Sequence, residues 1–169
     1  MFLAVHKYSI LSGLILMISA CSSISLDNNA SKIQTRPTTT DQRQLISVYQ
    51  VDANGVGASI GTVSFRQTPQ GLLITPALWK LSPGEHGFHI HENASCDAAL
   101  KDGKMGAALA AGGHLNPDNI ANHGTPENGH LGDLPVLVVN DKGFAITPVT
   151  APRLKLSDIQ GRTIMIHAG

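Results

Sequence analysis

Beyond residue 44, short apolar segments alternate with polar turns rich in glycine, proline, asparagine and aspartate. Apolar and polar positions alternate along several of these segments, which favours half-buried strands over helices. The pattern predicts strands at residues 45–51, 60–67, 71–79, 86–91, 134–140, 143–149 and 163–168. Asp141-Lys142 predicts a hairpin between two of them, and Pro76 predicts an edge or a bulge. With no long helical periodicity, the fold class is all-β, an antiparallel sandwich or barrel.

The amino terminus has a different pattern. Residues 10–19 form an apolar run that is too short to span a bilayer and is typical of a secretory signal. Small residues before Cys21 resemble the lipobox of bacterial lipoproteins, which implies cleavage before Cys21 and a lipid on that residue. Ser22 then favours a periplasm-facing anchor in the outer membrane. The alternative is an ordinary signal with an incidental cysteine.

These patterns divide the chain into three parts: a signal peptide at residues 1–20, a flexible polar tether at 21–44, and a folded domain at 45–169. The tether is rich in Ser, Thr, Asn and Gln and has almost no apolar periodicity.

Composition narrows the function classes. Lys plus Arg and Asp plus Glu both number 12, so the formal charge is zero and a basic nucleic-acid binder is excluded. Two cysteines cannot build a disulfide framework. Eight histidines against one tryptophan is the unusual ratio, and it directs attention to metal binding.

The histidines are distributed in a way that predicts a metal site. His89 and His91 lie two apart on a predicted strand, so their side chains share one face. The long segment 92–133 adds further candidate ligands, and loops of this length are usually functional. The candidates are His89, His91, His114, His123, His130, Asp133 and His167.

Seven ligands suit two metal ions that share one ligand, because a tetrahedral zinc needs four. Imidazole ligands suit zinc and copper. The alternative is a set of surface histidines on a solvated loop, which would explain one or two of them. His86, three residues before His89, points to the opposite face; we expect it to bond backbone groups that fix the ligand strand. A satisfied core histidine is the alternative.

Four motifs in order resemble the copper, zinc superoxide dismutase family, in particular its bacterial periplasmic branch: residues 87–91 (GFHIH), 112–117 (GGHLNP), 129–135 (GHLGDLP) and 165–167 (MIH). The resemblance covers roughly residues 45–169. It implies a flattened Greek-key barrel with a long metal-binding loop. It also implies dismutation of superoxide by a redox-cycling copper, with either a monomer or a homodimer.

The resemblance implies roles for the candidate ligands. His89, His91, His114 and His167 would hold the catalytic copper. His114 would bridge to a zinc held also by His123, His130 and Asp133. Cys96 matches the family's loop cysteine, whose disulfide partner lies on a last strand that this sequence lacks. A bond between Cys96 and Cys21 is the alternative.

The sequence stops two residues after His167, whereas family members continue. The further stretch normally carries an aspartate that bridges the two sites, a charged guiding loop, an arginine beside the copper, and the disulfide cysteine. We therefore expect either a fragment of a longer protein, which we favour, or a damaged or repurposed member. Without the last strand, the barrel would have an open edge.

Two other functions compete with the enzyme. One is a non-catalytic copper- and zinc-binding lipoprotein on the same fold, motivated by the missing arginine and cysteine. The other is a zinc hydrolase. It would need an open coordination position, whereas four protein ligands already fill the zinc site.

Overall fold

The computed structural model describes residues 2–5 and 43–168, and every strand pair in these residues is antiparallel. A single 3₁₀ turn interrupts the β structure at Leu109–Ala111. The strands are β1 (Phe2–Val5), β2 (Arg43–Asp52), β3 (Gly55–Thr68), β4 (Gly71–Leu78), β5 (Gly84–His86), β6 (Phe88–His91), β7 (Ala99–Lys101), β8 (Lys104–Gly106), β9 (Leu137–Val139), β10 (Val149–Ala151) and β11 (Thr163–Ile166). The predicted all-β class is confirmed.

Seven strands form the main sheet, in the order β10-β4-β3-β2-β1-β11-β6. Two smaller pairs, β5-β9 and β7-β8, complete the structure. Alternate residues of the long strands are buried, as the period of a strand requires. The core they build includes Val48, Val63, Phe65, Leu72, Ile74, Phe88, Ile90, Leu137 and Ile166. It packs behind the ligand strand β6, so the site rests on a rigid base.

The expected open edge is paired in this structure. β1 lies between β2 and β11, with Phe2 opposite Gln50 on one side and Ile166 on the other. Four residues of the predicted signal therefore take part in the sheet. The rest of the signal, Cys21 and nearly all of the tether lie outside the described residues, and their roles stay predictions.

The predicted hairpin around Asp141-Lys142 is wrong in its second strand. The turn forms, because the Asn140 side chain accepts hydrogen bonds from the amides of Lys142 and Phe144. However, residues 143–148 then form only one bridge, between Ala145 and Leu78. After the turn, the chain bridges to Leu78 of β4 rather than returning along β9. Strand β9 pairs with β5 instead.

Two other differences concern strand breaks. The predicted strand 86–91 divides at Gly87, because β5 pairs with β9 and β6 pairs with β11 in the main sheet. Pro76 behaves as expected of an edge position. On one side Pro76 pairs with Val63 of β3. On the other side it lies between two pairings of β4, Ile74 with Val149 and Leu78 with Ala145, and takes part in neither.

Within the part of the chain that the structure describes, no helix has the length and apolar character needed to cross a membrane.

Candidate metal centre

Strand β6 supplies two of the candidate ligands. His89 and His91 lie on one face of it and are buried, while Phe88 and Ile90 point the other way into the hydrophobic core. The alternation of a strand therefore fixes both imidazoles on the same side, as the sequence predicts. Turning the strand would expose Phe88 and Ile90, so their burial in the core favours this orientation.

Two loop segments pack against the free edge of β6. His114 forms a bridge with His91, and Asp133 forms a bridge with His89. Backbone hydrogen bonds hold both segments: the Leu115 amide donates to the Ile90 carbonyl at 2.8 Å, and the Ile90 amide donates to Gly132 at 2.8 Å. The long loop is therefore attached to the ligand strand at the residues that carry ligands.

His167 arrives from the other edge of β6. β11 pairs with β6, and the ladder continues where the His167 amide donates to the Gly87 carbonyl at 2.9 Å. Gly87 is needed here, because a Cβ at this position would lie 3.1 Å from His89 Cε1 and 3.4 Å from His167 Cδ2. The glycine thus allows the two rings to approach.

A first group of four imidazoles, His89, His91, His114 and His167, brings its ligand atoms within 4.8 Å of one another. Among the described residues, the buried side-chain nitrogens without a hydrogen-bond partner are His89 Nδ1, His91 Nε2 and His167 Nε2. Unpaired buried polar atoms are rare and costly. All three belong to this one group, and a metal ion would satisfy them together.

The orientation of the His91 ring is set by the backbone. Its Nδ1 donates to the Gly112 carbonyl at 2.9 Å, which leaves Nε2 as the atom with a lone pair. A hydrogen bond from the second ring nitrogen is the usual way to orient a metal-binding imidazole.

A second group centres on the Asp133 carboxylate, which is only 1% exposed. Its Oδ1 lies 2.9 Å from His114 Nδ1, 3.5 Å from His130 Nδ1 and 3.6 Å from His123 Nε2. Its Oδ2 accepts hydrogen bonds from the amides of Gly124 and His130, both at 2.9 Å. One oxygen is therefore held by the backbone, and the other faces three imidazoles.

Burial keeps the histidines of the first group neutral. It lowers the pKa of His89 to about 3, helped by the neighbouring His114, His167 and His123. Burial also lowers the pKa values of His91, His114 and His167. Neutral imidazole is the form that binds metals, so these rings are ready to act as ligands.

The Asp133 carboxyl is held in its ionised form. Burial alone would raise its pKa, but hydrogen bonds from the Gly124 amide and His114, with the nearby His123, outweigh burial and lower it. The second group therefore offers one carboxylate together with imidazoles, a donor set that zinc accepts.

The sequence and structure of this chain match known proteins. Residues 59–169 match the model of the copper/zinc superoxide dismutase family. The chain belongs to this family. Over 126 residues it is 61% identical to "Superoxide dismutase [Cu-Zn] 2" of Salmonella typhimurium, covering 73% of each chain.

Solved structures agree with this membership. The copper/zinc superoxide dismutase from Brucella abortus superposes with a TM-score of 0.74 at 45% identity, covering 76% of this chain and 84% of that one. The solution structure of the monomeric enzyme from Salmonella enterica gives a TM-score of 0.70 at 55% identity, with the same coverage. The resemblance carried by the four histidine motifs is thus confirmed.

All seven ligands expected from the superoxide dismutase motifs lie in or beside the two groups. The first group is identical to the expected copper set. In the second, His89 joins His114, His123 and Asp133 within 4.8 Å. His130 is not in this set, although its Nδ1 lies 3.5 Å from Asp133 Oδ1 and 3.4 Å from His114 Nδ1. His89 joins the set because its Nε2 lies 2.9 Å from Nε2 of His123, whose side chain is 56% exposed. The assignment of individual ligands stays a prediction.

His86 lies where the sequence suggests, away from the ligand face. Its Nδ1 donates to the His167 carbonyl at 2.6 Å, and its Nε2 lies 2.8 Å from the Ser82 carbonyl. The ring is 1% exposed. It therefore links the loop before β5 to the residue that follows β11.

Cys96 is buried beside Val51, Met165, Ala108 and Ala111. Burial raises the pKa of its thiol to about 12. Cys21, the alternative partner, lies outside the described residues, so the pairing of Cys96 stays a prediction.

Two arginines that sequence reasoning could not place have defined roles. Arg162 donates to the Glu92 carbonyl, and Arg153 donates to three carbonyls of the loop that carries His123, His130 and Asp133. No signal in the sequence around Arg153 points to that loop, since its nearest acceptor, His130, lies 23 residues away in the sequence.

Proposed function

We propose that this chain is a copper, zinc superoxide dismutase, which converts two superoxide ions and two protons into dioxygen and hydrogen peroxide. The observation that carries the proposal is the convergence of three buried, unpaired imidazole nitrogens on His114, a residue whose other nitrogen faces Asp133. Two adjacent metal sites that share one ring follow from this arrangement. The family membership and the 61% identical relative support the same activity.

The first group fits copper. His89 Nδ1, His91 Nε2 and His167 Nε2, with His114, would hold it in an all-imidazole environment. Copper bound there supplies a centre that accepts one electron from superoxide and returns one to a second superoxide. His91 and its Gly112 partner keep one ligand in a fixed orientation through both halves of the reaction.

The second group fits zinc, with His114, His123, His130 and Asp133 as ligands. These are imidazoles and one carboxylate, which zinc accepts at a closed four-coordinate site. His114 Nδ1 and Asp133 Oδ1 lie 2.9 Å apart and face each other. Zinc bound there would replace the proton between them and hold the His114 ring on that side.

His114 is suited to handle a proton. Its Nδ1 is engaged on the Asp133 side, so Nε2 is the nitrogen left to face the first group. His114 Nε2 would hold copper on this side, and the same nitrogen would carry a proton when it is not bound to the metal. A proton held at Nε2 would be available to the second superoxide, which needs protons to become hydrogen peroxide.

The charge of the loaded site favours an anionic substrate. Asp133 is the only carboxylate among the seven proposed ligands, so two dications leave the centre positive. A positive centre raises the local concentration of a small anion and the rate of encounter. A non-catalytic copper- and zinc-binding lipoprotein is not favoured, because the relatives that match at 61% and 54% identity carry the enzyme's name.

Two single substitutions test the shared ligand. His114→Ala should weaken the binding of both metals, whereas His123→Ala should empty mainly the zinc site, because only His114 belongs to both proposed sets. Copper and zinc in each purified variant are measured by mass spectrometry after dialysis against a weak chelator. Equal copper occupancy in the two variants would contradict a shared ring.

We also propose that the protein is anchored by a lipid at Cys21 in the outer membrane and faces the periplasm. The small residues at positions 18–20 before this cysteine support the proposal, as does the serine that follows it. Cells grown with labelled palmitate should yield labelled protein in the membrane fraction, and Cys21→Ala should remove the label. Unlabelled parent protein in the soluble periplasmic fraction would indicate an ordinary signal instead.

A further inference from the structure

The segment of residues 123–133, here called the zinc loop, carries three of the four proposed zinc ligands. Within the described residues, no strand or helix lies between residue 112 and residue 136. The zinc loop joins β6 at its carboxyl end, through the Asp133 bridge and the Gly132 carbonyl, and the rest of it lies in no regular ladder. Ligands on such a loop need other contacts to reach a precise geometry. These contacts come from within the loop and from one residue outside it.

Several of these contacts are hydrogen bonds within the zinc loop. The Gly129 amide donates to the Thr125 carbonyl at 2.8 Å, and the Asp133 amide donates to the His130 carbonyl at 3.1 Å. The Asp133 Oδ2 atom closes the loop by accepting the amides of Gly124 and His130. These bonds fix the carboxylate only if the two amides point towards it.

Arg153 binds the same loop from the opposite side. Its Nε donates to the Pro126 carbonyl at 2.7 Å, and its Nη2 donates to the carbonyls of Gly129 and His130 at 2.7 and 2.8 Å. Arg153 is the second residue after β10, which pairs with β4 in the main sheet. The guanidinium therefore ties the irregular loop to a rigid element.

One peptide group connects the two sets of bonds. The Gly129 carbonyl and the His130 amide belong to the same planar unit, in which the oxygen and the N–H point in opposite directions. Arg153 holds the oxygen of this unit, and Asp133 Oδ2 accepts its N–H. Fixing the oxygen thus aims the N–H at Oδ2, which leaves Oδ1 facing the three imidazoles.

We propose that Arg153 is a positioning residue for the zinc site, which orients the Gly129–His130 peptide and through it the Asp133 carboxylate. The inference rests on the proposed zinc ligands. It assigns to Arg153 no contact with metal or superoxide. Its planar fork of donors matches three carbonyls at once, which the single ammonium of a lysine does less well.

The test compares Arg153→Met, which keeps an apolar stem without the donors, with Arg66→Met as a matched control. Arg66 is half-buried on β3, and no described hydrogen bond joins it to the zinc loop. Zinc and copper affinities of the full chain are measured separately by competition with a chromophoric chelator. Loss of such supporting contacts typically weakens metal binding by about 10–100-fold.

We expect Arg153→Met to bind zinc about 10-fold more weakly or worse, with copper affinity and the melting temperature of the metal-free protein close to the parent. Arg153→Lys should fall between the two, and Arg66→Met should match the parent. Equal weakening of both metals would overturn the proposal, since it would indicate a general loss of folding. If Arg153→Met does not fold, the zinc-to-copper split in Arg153→Lys decides in the same way.

A third variant separates this proposal from the ligand assignment on which it rests. Asp133→Asn should lose zinc binding if Asp133 is a ligand. Unchanged zinc affinity in Arg153→Met alongside a weakened Asp133→Asn would overturn the role of Arg153 and leave the ligands intact. Unchanged zinc affinity in Asp133→Asn would overturn both.

Discussion

At the scale of single residues, the chemistry depends on which nitrogen of each imidazole is left without a partner. The spacing of His89 and His91 predicts that both rings share a face, and the structure agrees. The sequence could not predict that the Gly112 carbonyl would engage His91 Nδ1, because that contact joins residues 21 apart. Which residues are ligands can be predicted from the spacing of the histidines. Which nitrogen of a ring is left to bind a metal depends on contacts that form only in the folded chain.

His86 gives a prediction at this scale. His86→Ala should lower the free energy of unfolding by about 2–4 kcal/mol, because it removes the hydrogen bond from the buried His86 ring to the His167 carbonyl and leaves a cavity in place of the ring. Urea unfolding of the metal-free protein measures this loss. His123→Ala is the control, since its exposed ring should cost little; equal unfolding free energies in the two variants would contradict the account.

At the scale of elements, strands were easier to predict than the segments between them. The alternation in β2, β3 and β4 is local, so the sequence predicts these strands within a few residues. The strand predicted at residues 143–149 was wrong, because the partner it takes, Leu78, is distant in the sequence. The contacts of Arg153 with the zinc loop could not be predicted either, because they also join residues that are distant in the sequence.

The zinc loop depends on the contact between Gly124 and Gly129. A Cβ at Gly129 would lie 2.5 Å from the Gly124 amide nitrogen and would also collide with the Asp133 carboxylate. Gly129→Ala should therefore reduce zinc occupancy about 10-fold or more, as measured by metal analysis after mild chelation.

Gly113→Ala is the matched control for this prediction. It lies next to the ligand His114, yet the nearest atoms to its Cβ would be those of the Glu92 carboxylate, at 3.7 Å or more, which is an ordinary contact. Its zinc occupancy should equal that of the parent. A similar loss in both variants would show that proximity to a ligand, rather than the Gly124–Gly129 contact, causes the effect.

At the scale of the whole molecule, function depends on the order of strands in the main sheet. β11 beside β6 brings His167, near the end of the sequence, to His89, 78 residues earlier. The motifs predicted this gathering through family resemblance, because strand pairing over such separations cannot be read from periodicity. Likewise, nothing in the pattern of residues 2–5 predicted a place for them between β2 and β11.

We propose that the two groups of ligands form one catalytic centre for superoxide. The direct measurement follows superoxide decay after pulse radiolysis in the presence of the copper- and zinc-loaded protein, with His167→Ala loaded in parallel. Decay should accelerate in proportion to the copper bound by the parent and return to the spontaneous rate with His167→Ala. Full occupancy of both sites in the parent without any acceleration would contradict the claim and leave a metal-binding protein on the same fold.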